Sequence, residues 1–362
     1  MKTYWPNRWR EGAFPKVISY KLSSSIFDHY LILSQFSILA LFPLLFSCQS
    51  MPEIEKPHAI SSNGPIVKVA GMNRNLAGSS LDIFTFDSSA GFLDSYQRYD
   101  SFNGTEVHLR SGSGEKSIFA CSDGQRMRQE WNIVSSREAL EGIHADLRKE
   151  RRNHLCMTGS GSVDAGSGTT CEIRMKTLAS EVILRSVSCD FSGRAYHDRR
   201  ISDVKVFLTN VNSQCSLMAE GEVMPVEIIN AGGLDEEDME EMHDPGILMQ
   251  EITEGITEDI SQVDISLLCY PNASRKEGPG TPFTRLVIEG KIDGETFWWP
   301  IDINREEGMD EQGIYRCRQY IYDLTITRKG SSDPDEVVDT DAIRLQSIIK
   351  PWEEKEEYRV SF

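Results

Sequence analysis

The chain of 362 residues carries 38 basic and 56 acidic side chains, a formal net charge of −18. That excess repels phosphate backbones and anionic headgroups, which argues against nucleic-acid binding and against adsorption to a bilayer surface. The length allows two domains, each able to bury a real core.

In chain order the first pattern is an apolar run over 30–46 that closes on Leu45-Phe46-Ser47-Cys48. It is short for a membrane span and is broken by Ser34, Gln35 and Ser37, while Lys16 and Lys21 lie upstream as a positive n-region. This is the pattern of a lipobox in an exported bacterial lipoprotein. Residues 1–47 are expected to be removed as a signal peptide, and Cys48 to take the lipid. The cut removes five basic and two acidic side chains, leaves 33 against 54, and brings the mature net charge to about −21. Several acyl chains on one cysteine anchor firmly where a single chain holds only marginally, so the outer membrane is an expected partner through the lipid. Residues 48–64, rich in Pro, Ser and charge, read as a flexible tether.

Strand signals follow one another from there. A short strand is expected over 66–69. Leu81–Asp87 alternates cleanly, with Leu81, Ile83 and Thr85 on one side and Asp82, Phe84 and Phe86 on the other. Both sides carry apolar groups, as in a central strand. Residues 106–110 and 117–122 continue the pattern around the turn-forming Ser111-Gly112-Ser113-Gly114. Ser135 with Glu138 makes a capping box, and Leu140, Ile143, His144 and Leu147 share one face, so a helix is expected to run to about Arg152. Residues 159–169 read as a Gly/Ser loop. Further strands are expected over 171–175, 181–189, 203–209, 265–270, 284–289, 296–303, 320–327, 342–349 and 358–362, with a short acidic helix or loop at 235–243.

Many short strands, separated by turns and with few helices, indicate β-sandwiches. The fold class expected is mainly β, two sandwich domains over 65–215 and 216–362 with one or two short helices.

Signals for chemistry are poor. The chain has no G-x-S-x-G, H-E-x-x-H, P-loop or dinucleotide fingerprint, so no enzyme, no cofactor and no catalytic residue is assigned. The acidic run Asp235-Glu236-Glu237-Asp238-Met239-Glu240-Glu241 lacks the ligand spacing and central glycine of a calcium loop, and with His243 beside it reads as a solvated face; no metal site is expected. Trp298 and Trp299 point to opposite faces of a strand, so at most one could line a sugar-binding platform, and core packing of both is the simpler expectation. With Cys48 taken by lipid, seven cysteines remain. An odd number argues against a complete disulfide framework; Cys121, Cys189 and Cys269 sit in apolar contexts that suit buried thiols, and Cys156 with Cys171 is one candidate bridge.

Read in order from about residue 65 to the end, several segments resemble the fimbrillin family of Bacteroidales pili. They are Leu81-Asp82-Ile83-Phe84-Thr85-Phe86-Asp87, Ser117-Ile118-Phe119-Ala120-Cys121, Cys156-Met157-Thr158-Gly159, Val204-Lys205-Val206-Phe207-Leu208-Thr209-Asn210-Val211, Trp299-Pro300-Ile301-Asp302-Ile303-Asn304, Gly313-Ile314-Tyr315-Arg316-Cys317-Arg318-Gln319-Tyr320 and the closing Ile349-Lys350-Pro351-Trp352. Cys317 departs from the pattern, where Asn is usual. The resemblance implies transthyretin-like Greek-key sandwiches and a structural subunit of a cell-surface fimbrium, lipid-anchored as a precursor and polymerised by strand exchange. Its partners would be other fimbrial subunits and surface ligands of host or bacterial cells. A protease would cut after an arginine in the early strand region, and the matching position is Arg74, before Asn75, in a Gly/Asn-rich connector suited to cleavage. The donor strand nominated is the C-terminal tail, where Ile343, Leu345, Ile349, Tyr358, Val360 and Phe362 alternate, with Pro351 and the charged run 353–357 as edge protection. The alternatives are a fimbrial anchor or tip adhesin of the same fold, and a surface glycan-binding lipoprotein that uses Trp298 or Trp299.

Overall fold

The structure, a computed structural model, describes residues 65–72, 76–124, 131–165, 170–306, 311–336, 338 and 342–353. Cys48, Arg74, Asn75, Tyr358, Val360 and Phe362 lie outside the described residues.

The first half contains β1 (Ile66–Gly71), β2 (Leu81–Asp87), β3 (Leu93–Tyr99), β4 (Glu106–His108), β5 (Glu115–Ser122), helix α1 (Arg137–Glu141), β6 (His144–Asp146), β7 (Met157–Asp164) and β8 (Thr170–Thr177). The second contains β9 (Ser180–Cys189), β10 (Ser202–Thr209), β11 (Val211–Asn212), β12 (Gln214–Ser216), β13 (Ile228–Ile229), helix α2 (Glu236–Glu241), β14 (Met249–Ile252), β15 (Ser261–Cys269), β16 (Arg285–Ile292), β17 (Glu295–Asp302), β18 (Arg318–Ile326) and β19 (Ile343–Pro351).

Seven strands pair in the order β3-β2-β5-β7-β8-β1-β4. The sheet folds over at β7 and β8, whose ladder is confined to Met157–Thr177 and Thr158–Lys176. On either side of that corner, β8-β1-β4 and β3-β2-β5-β7 turn alternate side chains toward each other. Val67, Val69, Val107, Ile173 and Met175 from the one layer meet Leu81, Ile83, Ile118, Ala120 and Val163 from the other, all buried in one core.

Two four-stranded sheets, β14-β10-β16-β17 and β15-β9-β18-β19, make a second sandwich. Its core holds Val204, Val206, Leu208, Leu286, Ile288 and Trp299 against Val182, Leu184, Leu267, Tyr320, Tyr322 and Leu324. β16 and β17 join through Asp293-Gly294, both at positive φ, the backbone a tight two-residue hairpin requires. Most pairing is antiparallel; β1 with β8 and β9 with β18 are parallel. The outward face of β2, Phe84 and Phe86, packs on Trp131, Leu140, Ile143 and Leu147 in a core continuous with that of the second sandwich. This mainly β architecture of packed sheets with two short helices is the expected fold class.

Three expectations change in detail. Residues 159–169, expected as a loop, begin with most of β7. A Cβ on Gly159 would lie 2.8 Å from Ile173 Cγ2, and one on Gly161 would lie 2.6 Å from Cys171 Sγ, so glycine here permits the close approach of β7 to β8. Helix α1 stops at Gly142 instead of running to Arg152, because His144–Asp146 leaves to pair with β12. Its N-cap is Ser136, whose hydroxyl accepts from the Ala139 N–H at 3.2 Å, and not Ser135. Beyond β8, β9 pairs with β15 and β18 and β10 with β14 and β16, while β12 pairs back with β6.

Gly159→Val is expected to lose about 1–3 kcal/mol in urea denaturation, since the added methyl groups meet Ile173 and the Arg174 carbonyl. Gly142→Ala is the control, at ordinary φ (−75°) and with the Ala139 carbonyl oxygen 3.5 Å from the added Cβ; it should shift stability by no more than about 0.5 kcal/mol.

Candidate assembly site

β1 is the strand that directly precedes the expected cleavage position at Arg74. Its sequence Ile66-Val67-Lys68-Val69-Ala70-Gly71 alternates, so Val67 and Val69 face the core while Lys68 and Ala70 face solvent. β1 lies between two strands. On one side it pairs in parallel with β8 over six positions, from Ile66 opposite Thr170 to Gly71 opposite Met175. On the other it pairs antiparallel with the three-residue edge strand β4. The Val69 N–H donates to the Thr105 carbonyl at 2.9 Å and the Met72 N–H to the Met175 carbonyl at 2.8 Å. The one side-chain ion pair here, Lys68 with Glu106 at 3.5 Å, is half-exposed and worth little.

The groove that β1 fills has a clear composition. Its walls are Val107 of β4 and Cys171, Ile173 and Met175 of β8, and its floor is Ile118 and Ala120 of β5 with Ile83 of β2. Burial pushes the Cys171 thiol up, opposed by a hydrogen bond from the Ser162 backbone. The surface is therefore apolar and uncharged. Burying two valines contributes about 3–6 kcal/mol gross before ordering costs. The connector that holds Arg74 and Asn75 follows directly after Met72 and precedes Leu76.

At the other end of the chain, Ile343, Leu345 and Ile349 sit in β19, the edge strand of the chain's own sheet. β19 pairs with β18 along its whole length, from Arg318 opposite Pro351 to Ile326 opposite Ile343. The three side chains are half-buried against the second core, and Trp352 closes the strand, its N–H donating to the Cys317 carbonyl at 2.9 Å. Arg344, Gln346, Ile348 and Lys350 face solvent.

Other residues singled out by sequence are placed as follows. Trp299 is fully buried, its indole N–H donating to the Arg328 carbonyl at 2.9 Å, so it cannot meet a ligand at the surface. Trp298 lies on the opposite face, half-buried, its indole N–H on Glu289 at 2.9 Å and its backbone bridged to Ser331. Glu236–Glu241 is helix α2, capped by Asp235, which accepts from the Glu237 and Asp238 N–H groups at 2.8 and 3.1 Å. Among the described residues no group of three His, Cys, Asp or Glu side chains is placed to hold a metal ion. Cys156 and Cys171 belong to different cores on opposite sides of the first sandwich's sheet, which rules out the bridge considered between them.

No protein-family model and no curated protein matches the chain. Solved structures do. A candidate cell adhesion protein from Bacteroides eggerthii DSM 20697 aligns with a TM-score of 0.61 at 13% identity, over 80% of this chain and 96% of that one. A fimbrilin from Porphyromonas gingivalis W83 aligns with a TM-score of 0.54 at 12% identity, over 80% and 97%. The chain has the fimbrillin fold. A second candidate cell adhesion protein, from Parabacteroides distasonis ATCC 8503, shares that fold with a TM-score of 0.54 at 14% identity, over 82% of this chain and 98% of that one. At such identities the likeness lies in the path of the backbone.

Proposed function

We propose that this chain is a non-enzymatic structural subunit of a cell-surface fimbrium, exported as a lipoprotein precursor on Cys48 and polymerised by strand exchange after cleavage at Arg74. The observation that carries the reading is the position of β1. It is the first described strand, it is joined to the rest of the sandwich through the Arg74 connector, and it fills an apolar groove between β8 and β4. Cleavage there would turn β1 into a separable peptide. Its departure would leave the N–H and C=O groups of β8 and β4 unpaired and the groove open, a surface that a neighbour's strand can complete. The donor is the C-terminal segment, with Ile343, Leu345 and Ile349 at its root and Tyr358, Val360 and Phe362 beyond. About four large apolar side chains entering such a groove contribute on the order of 6–12 kcal/mol gross, enough for a lasting non-covalent polymer.

A second reading, a terminal subunit of the same polymer, draws on β19. A subunit at the end of a fimbrium keeps its last strand, and β19 is paired in its own sheet over nine positions.

The test is to treat purified precursor with an arginine-specific protease, sequence the new N-terminus and follow polymer by sedimentation. A new N-terminus at Asn75 with polymer formation is expected, and Arg74→Ala should abolish both. Polymer formation undiminished in Arg74→Ala would overturn the cleavage step. Cleaved chain that caps polymers of other subunits without extending them would favour the terminal reading.

A further inference from the structure

Seven cysteines are described and all are buried. Two of them meet. Cys121 Sγ and Cys156 Sγ, 35 residues apart in the chain, lie 3.6 Å from each other. Cys121 is in β5 and Cys156 immediately precedes β7, whose Met157 and Thr158 pair with Ser122 and Cys121. The two thiols are thus diagonal neighbours across an antiparallel ladder, with their side chains turned toward each other. Neither lines the β1 groove, since both belong to the other core.

A disulfide requires about 2.05 Å between sulfurs, so closure needs a movement of roughly 1.5 Å, within reach of rotation about the two Cα–Cβ bonds and a small adjustment of the ladder. In the folded chain the reaction is held back. The hydrogen bond with Cys156, burial, and the carboxylates of Asp82 and Asp123 push the Cys121 thiol up, and no oxidant reaches either sulfur. Oxidation therefore belongs to folding, before β5 and β7 close over the pair.

We propose that Cys121 and Cys156 are a modification site, joined by a disulfide as the chain folds outside the cytoplasm; the compartment rests on the export reading above, the pairing does not. The co-reactant is a disulfide-bearing oxidant. One thiolate attacks it and forms a mixed disulfide, releasing one of its sulfurs as a thiol; the second thiolate then displaces the other sulfur. Two electrons and two protons pass to the oxidant, which leaves as a dithiol. The product closes a 35-residue loop and staples β5, the floor of the β1 groove, to the entry of β7. That floor must keep its shape while β1 is absent.

The test is refolding of the reduced, unfolded full-length chain in a mixture of glutathione and glutathione disulfide, followed by alkylation, digestion and mass spectrometry. One linked pair of peptides carrying Cys121 and Cys156 is expected, with the other six cysteines of the chain alkylated. The oxidised chain should melt about 5 °C above the same chain kept reduced. Cys121→Ala should remove both the linked peptide and the gain in melting temperature. Full alkylation of both residues, or a bridge from Cys156 to Cys215 instead, would overturn the pairing. Chain that forms the bridge on refolding but is recovered from cells with both thiols free would overturn the compartment.

Discussion

Replacing Arg316 by alanine is expected to cost about 3–5 kcal/mol of folding stability and to lower the melting temperature by about 10 °C. The guanidinium, only 6% exposed, lies two residues before β18 and reaches back into the first sandwich. It donates to the Thr158 hydroxyl at 3.0 Å and carbonyl at 3.3 Å in β7, and to the Lys176 and Thr177 carbonyls of β8 at 2.8 and 3.3 Å. It also donates to the Ala219 carbonyl at 2.8 Å and to Glu220 at 3.1 Å. Alanine would remove the one charged donor these carbonyls share and empty the space between the two sandwiches. Lysine keeps the charge but not the planar fork, so Arg316→Lys should recover less than half of the loss. Glu220 is 70% exposed, and Glu220→Ala should change stability by no more than about 0.5 kcal/mol. Urea denaturation of the three variants separates these outcomes; a large effect at Glu220 would mean that ion pairing, not satisfaction of the carbonyls, is what Arg316 supplies.

Asp82→Ala should be as damaging, about 3–5 kcal/mol, for a different reason. Asp82 is fully buried on β2 and Arg98, opposite it on β3, is 10% exposed. One guanidinium nitrogen donates to both carboxylate oxygens at 2.7 Å, and the Tyr96 hydroxyl donates to Oδ1 at 2.6 Å. Removal of the carboxylate leaves the mostly buried guanidinium to the exposed carboxylate of Asp100, on which its Nε donates at 2.8 Å. Removal of both charges leaves no such cation behind, so Asp82→Leu combined with Arg98→Leu is expected to recover most of the loss. Thermal denaturation of the single and double variants checks it. Equal losses in both would show that the cost comes from packing and not from the charge left behind.

Both pairs bear on assembly. If β1 leaves, the first sandwich loses a strand at its centre, and what remains must neither collapse nor separate from the second sandwich. Arg98 with Asp82 holds β3 to β2, and Arg316 holds β7 and β8 to the start of β18. Neither depends on β1.

Much of this fold was legible in the chain because its signals are local. Alternation in Leu81–Asp87 identified a strand buried on both faces, and the structure places Leu81 and Ile83 in one core and Phe84 and Phe86 in the other. The strands at 181–189, 203–209 and 342–349 were readable for the same reason, and in the structure the ends of each lie within two residues of those bounds. β7 was not. Met157-Thr158-Gly159-Ser160-Gly161-Ser162 has the composition of a loop, and its glycines become necessary only when β8 approaches. The helix expected to reach Arg152 failed similarly, since a strand found some seventy residues later claims His144–Asp146.

The candidate site divides along the same line. Period and composition alone pointed to Val67 and Val69 as part of a short strand and to an alternating C-terminal tail, while Arg74 in its Gly/Asn connector was picked out by the resemblance to the fimbrillin family. That β1 lies between β8 and β4, that Cys156 faces Cys121 and not Cys171, and that Arg316 spans two sandwiches were decided by tertiary structure. Side-chain period is a property of neighbours along the backbone, which a sequence displays directly. Which strand lies beside which depends on burying the faces of all of them at once, and no segment carries that information by itself.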